Sequence, residues 1–440
     1  MTHDPTPPAT RRDFLKSSSA AIGGALAASL PFPSATSAAG NSDKLKIGFV
    51  GCGGRGTGAA SQALHADSNV ELYAMADVFE DKLDKSLESL RKQFPDNPAK
   101  FNVSKDRQFI GLDAYQKVIN SGVDVVILTT PPGFRPVQFK AAIDAGKHVF
   151  LEKPMATDAP GLRSVMESVR KAKEKNLAVV AGFCWRYDAA RRAFFKEVHN
   201  GRLGEIKALY HTYLTGPVKA MPPADTRPAG MSDVEWQVRN WYNFTWLSGD
   251  GLVEQAIHSI DKMAWAMKDQ MPVKCTAVGG RMTPNHEGTI YDHIEVNYEW
   301  ANGVRGFLAQ RQIPFCHAET KDYLMGTKGN GYIGRRGSAP VEIEGENPWK
   351  YDGGAAPDMY QVEHDEFFAS IRAGKPLNDG DRMCTSTMMG LMGRMAAYTG
   401  QEVTWEQALN SQKKFVPDNL TWDMELPIEP MAVPGKTKMV

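Results

Sequence analysis

The sequence predicts an α/β protein whose N-terminal half is a doubly wound parallel sheet. Three observations carry this. A short apolar run ends in a glycine-rich turn that opens a helical stretch, continuous apolar strands then alternate with amphipathic helices, and 440 residues suffice for two domains with cores of their own. Strands buried on both faces read as unbroken apolar runs, which marks a parallel sheet covered by helices on both sides.

In chain order, residues 45–50 hold Ile47, Phe49 and Val50 and read as the first buried strand. It ends in Gly51-Cys52-Gly53-Gly54-Arg55-Gly56, a G-x-G-x-x-G, and residues 57–65 are helix-compatible. Gly51 permits a tight turn, Gly53 lets the backbone approach a pyrophosphate, and Gly56 lets helix and strand pack closely. The helix N-terminus offers free N–H groups and a positive dipole end to the phosphates. A second strand, 70–76, leads to Asp77, about 20 residues beyond the last glycine, where a dinucleotide fingerprint expects an acid. Its carboxylate suits the adenosine ribose hydroxyls and repels a 2′-phosphate, which favours NAD over NADP. A turn residue at a strand end is the plainer alternative. Arg55 tempers the preference, since it suits either a 2′-phosphate or the pyrophosphate.

The alternation continues. Residues 123–128, "VDVVIL", form a strand ending in Thr129-Thr130-Pro131-Pro132. Residues 136–145 read as a helix closed by Gly146, "KHVFLEKP" as the next strand and its exit, 159–175 as an amphipathic helix, and 177–183 as a strand. Ligands bind such sheets beyond the carboxyl ends of the strands, where Thr130, Pro131, Glu152 and Lys153 fall.

Lys plus Arg and Asp plus Glu both number 51, so no global field recruits nucleic acid or an acidic membrane surface. The five cysteines are scattered, without the spacing of a zinc site or redox dithiol. No metal is expected: His286, Asp292 and His293 match no ligand motif.

The N-terminus reads as a leader, residues 1–39. Thr10-Arg11-Arg12-Asp13-Phe14-Leu15-Lys16 resembles a bacterial twin-arginine signal. A mildly apolar run, 20–30, is too short to span a bilayer, and small residues up to Ala38 and Ala39 suit cleavage. No cysteine lies there, so no lipid anchor is indicated. The expectation is a protein exported already folded, periplasmic, with the twin-arginine translocation machinery as a partner and no membrane anchor.

"AGKHVFLEKP" (145–154), with the glycine loop, resembles the glucose–fructose oxidoreductase and inositol dehydrogenase family, Gfo/Idh/MocA. "GFCWRY" (182–187), "GLVEQAIHSID" (251–261), "GTKG" (326–329), "SIRAGKPLNDG" (370–380) and "TGQEVTWEQAL" (399–409) look like its later landmarks. The resemblance implies a Rossmann NAD-binding domain over 44–185. It further implies a C-terminal α/β domain over 186–440, with an open, mostly antiparallel sheet that binds substrate and supports homo-oligomers. Alternation over 206–214, a hairpin signal at Ala301-Asn302-Gly303, and glycine-closed helical stretches near 360–374 and 386–400 agree with such a domain.

The resemblance also assigns roles. Lys153, of the Glu-Lys-Pro motif, lies beside nicotinamide and substrate, where an ammonium stabilises a forming alkoxide. On residues alone it reads as a solvated loop lysine. His258 matches the family's acid/base histidine; otherwise it is a histidine packed on a helix flank. Glu254 stands where many relatives have aspartate. The apolar positions Val253, Ala256, Ile257, Ile260, Met263 and Ala264 predict one continuous helix carrying Glu254, His258 and Asp261 on a neighbouring face. Arg135 stands where many relatives have histidine; it reaches an acid or caps the loop. Substrate contacts are expected from Arg186, Tyr187, Asp261 and the aromatic stretch "WYNFTW" ending at Trp246, unless those aromatics are core.

The function implied is a nicotinamide-dependent oxidoreductase acting on CH–OH groups of a sugar, polyol or sugar derivative. Two alternatives stand: an NAD-dependent glycosidase like the α-N-acetylgalactosaminidases, and a non-catalytic protein that keeps the fold. Free NAD is scarce outside the cytoplasm, so an exported enzyme of this kind is expected to retain its cofactor.

Overall fold

Six strands, β1 (Leu45–Val50), β2 (Val70–Asp77), β3 (Gln108–Ile110), β4 (Val125–Leu128), β5 (His148–Leu151) and β6 (Val179–Ala181), form an all-parallel sheet in the order β3-β2-β1-β4-β5-β6. The computed structural model describes residues 43–283, 287–334, 340–354 and 356–438; the leader (1–39) and His286 lie outside the described residues. Successive residues of β1 enter opposite cores. Leu45, Ile47 and Phe49 pack with Leu64 and Leu83, while Val50 packs with Val126 and Leu128. Five helices cover the sheet: α1 (Gly54–Ala66), α2 (Glu80–Gln93), α3 (Ala114–Asn120), α4 (Arg135–Asp144) and α5 (Ala159–Glu174). Strand order reverses between β1 and β4, which opens a crevice beyond their carboxyl ends.

After α6 (Ala189–His199) the chain builds a nine-stranded sheet from β7 (Ile206–Thr215), β8 (Lys274–Gly280), β9 (His293–Glu299), β10 (Arg305–Gln312), β11 (Asp322–Gly326), β12 (Gly329–Ile333), β13 (Val341–Gly345), β14 (Trp349–Lys350) and β15 (Val403–Thr404). The order is β14-β13-β12-β11-β7-β10-β9-β8-β15, with β7 and β10 parallel and the other pairs antiparallel. The hairpin between β9 and β10 turns at Gly303, whose φ of 84° favours glycine. Inward residues such as Ile294, Val296 and Tyr298 alternate with half-exposed ones and pack against α7 (Ile257–Ala266) and later helices. No helix among the described residues is long and apolar enough to cross a membrane.

The chain then returns to the first sheet. On α8 (Met359–Arg372), Phe367 and Phe368 join the core around Phe150. Val179 donates to Leu377 O at 2.8 Å and Asp379 donates to Val179 O at 2.8 Å, so this segment covers the edge strand β6. The last long helix, α9 (Gly380–Thr399), is buried along most of its length, and its methionines Met383, Met388, Met389 and Met392 fill the space between the layers.

One expected element differs. The stretch 253–264 is not a continuous helix: a turn at Gly251–Glu254 is separated from α7 by Gln255 and Ala256. Gln255 is held sideways, its Nε2 donating to Glu254 at 2.6 Å and its Oε1 accepting from Tyr213 at 2.9 Å. Asp250 ahead of the turn adopts φ 98°, rare for a residue with a side chain. Its buried carboxylate accepts from Leu252 N at 3.1 Å, Tyr291 N at 2.8 Å and the Tyr398 hydroxyl, which clamps the loop.

On α8, His364 is fully buried, stacks on Phe150 with centroids 4.1 Å apart, and has no partner for either ring nitrogen among the described residues. Burial pushes its pKa well below the ordinary histidine range, and the Arg55 cation adds to this. The native state holds it neutral, whereas the unfolded chain protonates it as pH falls through about 6.5, so stability is lost below that point. Urea unfolding at neutral and mildly acid pH should show His364→Phe losing less stability than the parent. The expected difference is up to about 1.4 kcal/mol per pH unit over that window. Equal losses would remove His364 from the acid response.

Candidate active site

The glycine loop builds one wall of a cleft of about 680 Å³. Gly51 has φ 99°, and a Cβ there would meet the Thr129–Thr130 backbone at 2.7 Å. Gly56 sits against Gly51 O, which a Cβ would meet at 1.8 Å. Gly53 and Gly54 face open space, with nothing within 4 Å of an added Cβ. The loop is thus closed towards the protein and open towards the cleft, at the N-terminus of α1. That is the arrangement a pyrophosphate needs.

Asp77 ends β2 and lines the cleft. Its Oδ2 accepts from Cys52 N at 2.6 Å and its Oδ1 from Phe79 N at 2.9 Å, so it also ties the glycine loop to the loop after β2. Burial pushes this carboxyl up, and the main-chain donors oppose the shift. Arg55 is not directed at Asp77. Its Nε lies 3.3 Å from Glu152, its guanidinium lies 4.9 Å from the Tyr360 ring centroid, and it bonds Gln62.

Thr130 and Pro131 line the cleft at the end of β4. Arg135 is buried beneath them, donating to Thr130 O and Pro154 O, so of its two expected roles it takes loop capping. Burial lowers its pKa to about 10, so it remains a cation.

Lys153 follows β5. Its Nζ is 2.7 Å from Glu254 Oε1 and also donates to Glu254 O. Both side chains are about nine-tenths buried, which keeps solvent from screening the pair. His258 begins the first turn of α7 and lines the same cleft. Its ring stacks on Trp185, with centroids 5.3 Å apart and planes at 26°, and meets the edge of Phe183. Burial pushes its pKa well below the ordinary range, and the cations Lys153, Lys262 and Arg191 add to this. His258 is therefore a neutral imidazole, able to accept a proton. Lys153, Glu254 and His258 come together at the crevice with the glycine loop, Thr130, Pro131 and Glu152.

Four expected substrate contacts are placed elsewhere. Arg186 is buried in a bidentate pair with Asp261, at 2.8 and 2.9 Å, and also bonds Asp269. Both groups are spent on each other, and neither lines the cleft. Tyr187 donates to Asp379 at 3.1 Å inside the core. Trp246 is core, its indole N–H donating to Gln237 at 2.7 Å, whereas Trp241 and Tyr242 of the same stretch line the cleft. Sequence reasoning missed Trp185, the neighbour of Arg186 that does face the cleft, and also Tyr213, Gln255 and Tyr360. Helix periodicity does not apply to the 3₁₀ turn that holds Trp185, and Tyr360 arrives from α8, far along the chain.

Residues 45–183 match the family model described as Gfo/Idh/MocA, an oxidoreductase family with an NAD-binding Rossmann fold. A glycosyl hydrolase family 109 protein of Shewanella pealeana is 27% identical over 220 residues, 45% of this chain and 46% of that protein. An inositol 2-dehydrogenase of Rhizobium meliloti is 24% identical over 250 residues, 56% of this chain and 68% of that protein. The matched region thus spans about half the length of the first relative and two thirds of the second. Among solved structures, the aldose-aldose oxidoreductase from Caulobacter crescentus superposes with a TM-score of 0.63 at 18% identity, covering 82% of this chain and 99% of the other. That likeness is one of fold.

The glycine geometry separates stability from binding. Gly56→Ala should destabilise the fold by about 1–3 kcal/mol or more, because its Cβ overlaps backbone. Gly53→Ala should melt within about 0.5 kcal/mol of the parent. Its methyl enters the cleft, so NAD affinity should drop at least about tenfold, or 1.4 kcal/mol. Thermal melting with calorimetric titration of NAD checks both; full affinity in Gly53→Ala would argue against this wall as the pyrophosphate site.

Proposed function

We propose, from the premise that residues 45–183 belong to the Gfo/Idh/MocA oxidoreductase family with its NAD-binding Rossmann fold, that this protein oxidises and reduces a CH–OH group of a sugar, polyol or sugar derivative. The observation that carries the reading is the meeting of Lys153, Glu254 and His258 in the glycine-lined cleft. When bound, the nicotinamide ring accepts or returns the hydride. The protein's own groups handle the proton and the charge. His258, neutral, takes the proton of the substrate hydroxyl. The Lys153 ammonium, oriented by Glu254, stabilises the oxygen as its negative charge develops. Trp185, Trp241, Tyr213 and Gln255 line the remaining space, where aromatic faces and an amide suit a polyhydroxylated ring.

The glycosidase alternative has a specific observation in its favour, the matched relatives named glycosyl hydrolase family 109 proteins. Turnover of sugars, polyols and aryl glycosides, each with and without added NAD, separates the two readings. Under either, Lys153→Ala should fold, bind NAD and lose turnover on the order of 100-fold or more. Undiminished turnover would remove Lys153 from the mechanism.

We also propose that the protein is exported by the twin-arginine route to the periplasm with its nucleotide retained. The motif at Arg11 and Arg12 supports export. Retention is supported by the cover over the loop after β2: Arg239 lies 3.9 Å from the Phe79 ring centroid, and Trp422 packs against Phe79 at 5.9 Å. Arg11→Lys with Arg12→Lys should leave a nucleotide-loaded precursor in the cytoplasm, whereas denatured protein from the periplasm should release NAD or NADH. An empty periplasmic protein whose activity depends strictly on added NAD would overturn retention.

A further inference from the structure

Behind the cleft wall lies a group of charges that the chemistry above does not use. His258 and Lys262 are four apart on α7 and so share one face, one turn from each other. Both contact the same indole. The His258 ring stacks on Trp185 at 5.3 Å, and Lys262 Nζ lies 3.8 Å from the Trp185 ring centroid. Arg191 of α6 is a second cation at Trp185, with Cζ 4.7 Å from the centroid. Lys262 is fully buried, and so is its counter-ion Asp322 on β11, which also faces His211 of β7 at 2.7 Å. Even when paired, a buried lysine and carboxylate carry a desolvation cost that an apolar pair would not, so this arrangement needs a reason beyond packing.

We propose that Lys262 is a positioning residue for His258: its ammonium, anchored by Asp322 and seated on Trp185, holds the imidazole in place as a neutral proton acceptor. This rests on the reading of His258 as the acid/base group. The charge balance supports it. The cations acting on His258 are Lys153 from the exit of β5, Arg191 from α6 and Lys262 on its own helix. Glu254 is paired with Lys153 and Asp188 with Arg191, which leaves Lys262 and Asp322 as the pair behind the indole. Asp322 is held down at about 2 by Lys262 and His211, so it stays an anion. Lys262 is lowered to about 8 by burial, opposed by Asp322, and is a cation at neutral pH. Asp261, next to it, is turned away into Arg186. A proton arriving on His258 would thus be placed among cations, and it leaves readily once the substrate oxygen can take it back.

The test reads His258 directly, by NMR titration of its ring protons, assigned by their loss in His258→Gln. Lys262→Met alone strands the Asp322 carboxylate, so the variant of choice is Lys262→Met with Asp322→Asn. Its His258 titration midpoint should rise by about one pH unit relative to the parent. Lys262→Gln with Asp322→Asn, which keeps a hydrogen bond at the site, should give the same rise, and Lys262→Arg should restore the low midpoint. A folded double variant with an unmoved midpoint would make Lys262 a packing residue and overturn the proposal. The readout needs no substrate. If the proposed sugar chemistry is wrong, turnover is absent in every protein while the titration difference persists.

Discussion

The contact on which the site depends is the ion pair between Lys153 and Glu254, 101 residues apart in sequence. Lys153 leaves the parallel sheet at the end of β5, and Glu254 closes the helical turn ahead of α7. Their 2.7 Å contact joins the nucleotide side of the cleft to the side that carries His258. Removing either partner would leave an uncompensated buried charge. Both side chains are about nine-tenths buried, so solvent screens their attraction little. Asp250 sets the approach of Glu254 through a left-handed backbone held by three hydrogen bonds, a local strain that the surrounding packing sustains.

Around that pair the protein keeps nearly every buried charge answered. Arg186 has Asp261 and Asp269, Arg191 has Asp188, and Lys262 has Asp322. Arg394 Nη1 donates to the main-chain oxygens of Thr157 and Gly249, which fastens α9 to the exit of β5 and to the Asp250 loop together, while its Nη2 has no partner among the described residues. Glu363 departs from this rule. It is fully buried with neither oxygen partnered among the described residues, and burial, with the nearby Glu152, pushes its pKa well up. These arrangements fix the walls of the cleft and leave its polar groups few and directed.

Much of this was legible in the chain. Five of the six strands of the first sheet could be read one by one because apolar runs and glycine turns are local signals, whereas β3, three residues long and partly exposed, carries no such signal. The glycine loop was legible for the same reason: Gly51 and Gly56 answer constraints within a few residues of themselves or across one strand. The second sheet was legible only as strands and a hairpin. Its central parallel pairing of β7 with β10 joins residues 97 apart in sequence, as Arg305 with Ala208, and no local pattern announces it.

What the sequence determined by itself was therefore the fold class, the cofactor-binding turn and the identity of the residues able to carry charge and protons: Lys153, Glu254 and His258. Only the tertiary structure decided which polar residues would be spent on one another. Arg186 and Trp185 are neighbours in one 3₁₀ turn, yet Arg186 is buried against Asp261 and Trp185 faces the cleft. Residues one apart on so tight a turn point in different directions, and which direction meets the core depends on how α7 packs beneath it. The same holds for His258 and Lys262. Their spacing put them on one face, but the indole they share and the Asp322 behind them come from other elements, brought there by the packing of the two sheets.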